Sequence, residues 1–191
     1  MNARNRNVSS ESEELILVDR DDNEIGHLSK AMCHDGEGVM HRAFSLFLFN
    51  DDGELLLQQR SKQKRLWPGY WSNSICSHPR RGESLEIATA RRLRDELNFD
   101  TALERVYQFS YTAAFGDIGS ENEHCHVFLG KATNELRPNE SEIAAIRFVS
   151  PLDLDSELRE SPQRFTPWFI QEWGELTGTY REQLGRYCNP D

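Results

Sequence analysis

The chain has 191 residues, with 22 Lys/Arg against 32 Asp/Glu and a formal net charge of −10. That length suits one domain able to bury about two-thirds of its unfolded surface, and the acidic balance argues against nucleic-acid binding as the main activity. No apolar run approaches the ~20 residues that span a bilayer, and the polar start lacks a signal-peptide layout, so the expectation is a soluble cytoplasmic protein with Cys33, Cys76, Cys125 and Cys188 reduced.

In chain order, residues 1–14 read as a disordered polar tail and 15–191 as a single domain. Leu15 to Val18 is a first strand, followed by a turn at Asp21-Asp22-Asn23. Ala43 to Phe49 is strongly apolar, and Asn50-Asp51-Asp52-Gly53 turns it back into Glu54 to Arg60, a hairpin signal. A basic loop, Lys62 to Pro68, leads into Trp71 to Cys76. Ser84 is a plausible N-cap for a helix running to about Leu97, with Asn98 able to end it in a left-handed conformation. Tyr107 to Ala114, Glu123 to Leu129 and Ile146 to Val149 read as strands, and the chain is helical from Pro151. Strands interrupted by one helix and followed by late helices predict a mixed α/β sandwich of the α+β class.

Three groups of residues carry chemistry. Cys76 and His78 lie two apart, so on an extended segment they share a face at roughly 6.6 Å, too far for a direct thiol–imidazole hydrogen bond. That spacing suits a thiol acting beside a metal held by the imidazole. Glu121 and Glu123 also share a strand face. Two such close carboxylates need a cation or a shared proton, which points to a metal site or a raised pKa. With His34, His41 and His78 they make an N3O2 set for Zn²⁺, Mn²⁺ or Mg²⁺. His124, His126 and Cys125 carry no assignment; on a strand the two histidines point away from Glu121 and Glu123 and read as structural, as do Cys33 and Cys188. His27 is likewise unassigned.

Charge is unevenly placed. Residues 60 to 94 hold nine Lys/Arg and two Glu, so this window carries +7 and the remainder −17. Such an island in an acidic protein suits a small anion such as a phosphate or diphosphate. Within it, Ser77, Glu83, Arg91-Arg92-Leu93, Asp95-Glu96 and Asn98 resemble a degenerate Nudix box, with Ser77 and Asn98 where glycines are usual and Arg92 in place of a glutamate. Exchanging a metal-binding carboxylate for a guanidinium favours gripping a metal–diphosphate over hydrolysing it.

Taken together, His34, His41, the run Trp67 to Pro79, the altered Nudix helix, Glu121-Asn122-Glu123 and Pro167-Trp168 resemble the type 1 isopentenyl-diphosphate isomerases of the Nudix superfamily. The resemblance covers about Leu15 to Trp173 and implies a Nudix-type α/β/α sandwich that moves a double bond by protonation and deprotonation. It implies one divalent metal at His34, His41, His78, Glu121 and Glu123. It also implies an acid–base pair of Cys76 and Glu123, the latter oriented by Tyr111, and Trp168 facing a carbocation. A Mg²⁺ carried on the diphosphate would be held by Glu96 and the Cys76 carbonyl, and the diphosphate by Lys30, Arg60, Lys64 and Arg92. The substrate expected is a small isoprenoid diphosphate, with no nucleic-acid or membrane partner; a monomer and a weak homodimer both remain open. The competing readings are a Nudix hydrolase, which has no need of Cys76, and an inert diphosphate-binding module, which needs neither Cys76 nor Glu123.

Overall fold

The computed structural model describes residues 7–133 and 135–188. Its strands are β1 (Glu14–Val18), β2 (Glu24–Ser29), β3 (His41–Phe49), β4 (Leu55–Arg60), β5 (Trp71–Ser72), β6 (Ile75–Ser77), β7 (Leu103–Ala114), β8 (Ser120–Lys131) and β9 (Ile143–Val149). Its helices are α1 (Lys30–Cys33), α2 (Leu85–Leu97), α3 (Pro151–Glu160), α4 (Pro167–Thr177) and α5 (Arg181–Cys188). A short 3₁₀ turn, Pro162–Arg164, joins α3 to α4.

All strands belong to one mixed sheet built around β3. Its nine residues are almost all buried, as a strand covered on both faces must be. Along its whole length β3 pairs in parallel with β8, from His41↔Glu123 to Phe49↔Lys131. Its other edge pairs with β6, where Cys76 lies opposite Ser45. β8 in turn pairs antiparallel with β7, with Tyr111 opposite Glu123.

Alternation along β3 makes the two cores. Phe44, Leu46 and Leu48 face Ala88, Leu93 and Leu97 of α2. Ala43, Phe47 and Phe49 face Leu154, Trp168, Phe169, Trp173 and Leu184 of the late helices. The sheet is therefore sandwiched between helices, and the expected fold class is borne out.

The predicted caps of α2 form: Ser84 accepts from the Ile87 N–H, and Asn98 is left-handed at φ 58° and ψ 40°. Two features were not read from the sequence. β2 is a half-exposed strand with little apolar content. The run Trp71 to Ser77 breaks into two strands because Ser74 Oγ accepts from Leu48 N and donates to the Leu56 carbonyl, so buried side chains replace part of the ladder. Residues 7–13, assigned to a disordered tail, pack on the domain instead. Val8 is buried, and its carbonyl accepts from Arg92 Nη1 at 3.0 Å and Arg80 Nη2 at 3.3 Å. The physical reason is that these cations gain acceptors there that the apolar pattern does not reveal. The first six residues lie outside the described part.

Candidate active site

The parallel register of β3 and β8 puts His41 beside Glu123, and the antiparallel register of β7 puts Tyr111 on its other side. His34 caps the C-terminus of α1. Its carbonyl meets Gly119, where a Cβ would sit only 2.2 Å from the His34 oxygen. This glycine thus lets α1 approach the entrance of β8. His78 follows β6. Five donors from four parts of the chain, His34, His41, His78 and the β8 pair Glu121 and Glu123, converge with one ligand atom from each within 4.8 Å of the others.

The imidazoles are oriented from behind. Nδ1 of His34 lies 2.7 Å from the Lys30 carbonyl, and Nδ1 of His41 lies 2.7 Å from the Val39 carbonyl. Each Nε2 is thereby turned to the centre, as in metal-ligating histidines. His34 Nε2 is 2.8 Å from Glu121 Oε2, and His78 Nε2 is 2.8 Å from Glu123 Oε1. His41 Nε2 is buried with no hydrogen-bond partner. An orphaned buried nitrogen facing two carboxylates and two further imidazoles is a donor set that fits a divalent cation.

Electrostatics separates the two carboxylates. Burial raises both, but the His34 imidazole offsets this at Glu121 and brings it down to about 2. Glu123 is held well above the usual carboxylate range by burial and by the Glu121 charge, with the Tyr111 hydroxyl, which donates to Oε2 at 2.7 Å, pulling the other way. Burial also pushes His41 down to about 4 and His78 well below the ordinary imidazole value. Neutral imidazoles are the form that ligates metals.

A cavity of about 500 Å³ opens beside this cluster, lined by Cys76, Glu123, Tyr111 and Trp168 and by Lys30, Arg60, Lys64 and Arg92. The structure thus brings together all the sequence-predicted residues except Glu96 and His41 at the cavity wall. His41 sits behind it in the donor cluster. Glu96 is buried beneath, bound to Arg92 Nε at 2.7 Å. Trp168 stands at 5.1 Å from Trp67 and 6.2 Å from Tyr111 between ring centroids, with the Arg60 guanidinium 5.2 Å from its ring.

Burial pushes the Cys76 thiol up to about 11, and the Arg60 guanidinium 3.7 Å away offsets part of this. Arg60 is also committed elsewhere, donating to the Leu66 and Trp67 carbonyls. These bonds hold Trp67 at φ 47°, a strained value for a bulky residue.

The residue that sequence reasoning missed is Glu142. Its carboxylate binds Lys64 and lies 3.0 Å from Arg92 Nη2. Against burial, which raises it, these two cations hold it down at about 2. A lone glutamate in a polar loop gives no pattern that could have flagged it. The segment before β1 also joins the wall, with Ser9 Oγ 2.5 Å from Lys30 Nζ and Glu11 3.8 Å from the same amine.

Comparison with known proteins gives the family. Residues 39–169 match the NUDIX domain. Among curated relatives, "Isopentenyl-diphosphate Delta-isomerase 1" of Photorhabdus laumondii is 37% identical, covering 90% of this chain and 99% of its own length. The isopentenyl-diphosphate Delta-isomerases of Brevibacterium linens and Serratia proteamaculans are 38% and 40% identical, over 90% and 91% of this chain and 96% and 97% of theirs. A crystal structure from Deinococcus radiodurans superposes with a TM-score of 0.66 at 22% identity, covering 93% of this chain and 99% of that one. A MutT protein from Methanosarcina mazei superposes at 0.61 and 18%, covering 75% of this chain and 95% of that one; these two support the fold alone. With a NUDIX domain over most of its length and relatives matched nearly end to end, the chain belongs to the isopentenyl-diphosphate Delta-isomerase family of NUDIX proteins.

Proposed function

We propose that this protein interconverts isopentenyl and dimethylallyl diphosphate in isoprenoid biosynthesis. The observation that carries the reading is one cavity with a proton-transfer pair, Cys76 and Glu123, beside an aromatic wall and next to Lys30, Arg60, Lys64 and Arg92. Hydrocarbon and diphosphate ends of one small molecule would each meet matching chemistry. Among the described residues no helix is long and apolar enough to cross a membrane, and all four cysteines are free. Reduced thiols suit a cytoplasmic enzyme.

The reaction adds a proton at C4 and removes one from C2, with a tertiary cation at C3 between the two steps and no net redox change. Glu123, kept protonated by burial and Glu121, gives the proton. Tyr111 fixes the carboxyl through its hydrogen bond to Oε2. Trp168 faces the cation, a contact worth about 2 kcal/mol when desolvated. Cys76 takes the C2 proton as its thiolate, which the neighbouring Arg60 favours against the burial that opposes it. In the reverse direction the roles exchange.

A divalent metal at His34, His41, His78, Glu121 and Glu123, with Mn²⁺, Zn²⁺ or Mg²⁺ as the candidates, would supply positive charge that acidifies the Glu123 carboxyl. Lys30, Arg60, Lys64 and Arg92 bind the diphosphate. Glu96 and the Cys76 carbonyl would hold a Mg²⁺ carried in with the diphosphate.

The test is incubation of purified protein with isopentenyl diphosphate and Mg²⁺ in deuterated water. Dimethylallyl diphosphate should form, with deuterium entering C4 and C2. Released inorganic phosphate without an allylic product would favour a NUDIX hydrolase instead.

A further inference from the structure

The face of β8 turned away from the cavity carries a second imidazole–carboxylate group. His124 and His126 alternate with Glu121 and Glu123, so they project to the opposite side. The β1–β2 turn brings Asp22 to them, and one ligand atom from each of the three lies within 4.8 Å of the others. Asp22 Oδ2 is 3.1 Å from His126 Nε2, and the two imidazole centroids are 5.4 Å apart.

Both imidazoles are more than nine-tenths buried, at 4% exposure for His124 and 0% for His126. Yet His124 Nε2 and both ring nitrogens of His126 have no hydrogen-bond partner. Buried polar atoms are normally satisfied, so these nitrogens call for a partner, and one ion could take one nitrogen from each ring beside the Asp22 carboxylate. The surroundings already hold the ligands in place. His124 Nδ1 lies 2.9 Å from Ser110 Oγ, which fixes the ring and leaves Nε2 as the free donor. Arg42 Nε donates to Asp22 Oδ1 at 2.7 Å and Arg42 Nη2 to the Asp22 carbonyl at 2.6 Å. Those bonds hold Asp22 at φ 65° and leave Oδ2 for His126. The Asp22 side chain is 21% exposed, so the group can be reached from solvent at that edge.

We infer that Asp22, His124 and His126 form a second divalent-metal site, separate from the one facing the cavity. Two imidazoles and one carboxylate, with coordination completed by water, suit a borderline first-row ion such as Zn²⁺, Co²⁺ or Ni²⁺ rather than Mg²⁺ or Ca²⁺. The neighbouring guanidinium of Arg42 opposes a dication, which again favours ions bound through nitrogen over ions bound by charge alone. An ion here ties the β1–β2 turn to the strand that carries Glu121 and Glu123.

The experiment compares metal stoichiometry by equilibrium dialysis against Zn²⁺ and by Co²⁺ absorption, using the full-length protein, the double variant His124→Gln/His126→Gln, and Asp22→Asn. The wild-type protein should bind one more equivalent than the double variant, and Asp22→Asn should weaken that equivalent at least tenfold. Asn tolerates the left-handed backbone at position 22, so this second variant keeps the fold even if the double variant does not. Equal stoichiometry in wild type and double variant, or unchanged affinity in Asp22→Asn, would overturn the site.

Discussion

The two faces of β8 solve the same problem differently. On the cavity side, Glu121 and Glu123 are buried among three imidazoles, two of which approach them within 2.8 Å. On the other side, His124 and His126 are buried as deeply but meet one carboxylate, 3.1 Å from His126 Nε2, and three of their ring nitrogens make no hydrogen bond. Strand alternation alone assigns these four residues to opposite faces. What distinguishes the faces is the supply of partners: β3, β6, β7 and α1 converge on the front, whereas the back has the Asp22 carboxylate from one turn and the Ser110 hydroxyl from β7. Burial of a polar group therefore says little until its neighbours have been counted.

The sharpest way to break this comparison is at the front. Glu123→Gln and Cys76→Ala should each lower isomerisation by about 10²–10⁴-fold, measured as turnover of isopentenyl diphosphate by folded protein. Near-normal turnover in either would remove that residue from proton transfer. Next in size is Arg92→Met, which leaves Glu96 and Glu142 buried without their shared guanidinium. Urea unfolding at neutral pH should show a loss of about 3 kcal/mol; unchanged stability would mean that the two carboxylates find other counter-ions.

On the back face, Ser110→Ala frees the His124 ring. Zn²⁺ affinity of the second site should fall by about tenfold, read by competition with a chelating dye. No change would show that Ser110 does not orient the imidazole. The smallest effect concerns Glu172, a further buried acid, whose carboxylate lies 3.6 Å from Cys125 Sγ. Burial holds this carboxyl up at about 8, against a usual 4.5. The folded state thus binds its proton more tightly than the unfolded chain. The contribution to stability is complete below 4.5 and is lost as pH rises through 8. Glu172→Gln should accordingly raise Tm by a few degrees above pH 8 and by almost nothing in acid. A gain independent of pH would refute the assignment.

Much of the front face was legible because its residues carry local patterns. Glu-x-Glu on a strand, Cys-x-His on an extended run and an arginine where the Nudix helix usually has a glutamate each limit the chemistry on their own. The helix caps Ser84 and Asn98 were equally local. Other residues depended on distance in the chain. Glu142 meets Lys64 and Arg92 only after folding, and Asp22 reaches His126 across more than a hundred residues. The packing of residues 7–13 was hidden for the same reason, since its anchors are the arginines and lysine of other elements.

Glu142 has a consequence for what the cavity admits. Lys64 and Arg92 already hold an intramolecular anion, so an incoming ligand must displace it, and the entry of charge becomes an exchange. A tethered carboxylate competes at an effective concentration of the order of millimolar or above. Chloride or a singly bound phosphate offers too few contacts to win that exchange, whereas a diphosphate carrying its own cation can engage several donors at once. If Lys64 and Arg92 bind the diphosphate as proposed, the carboxylate would act as a threshold against the common small anions.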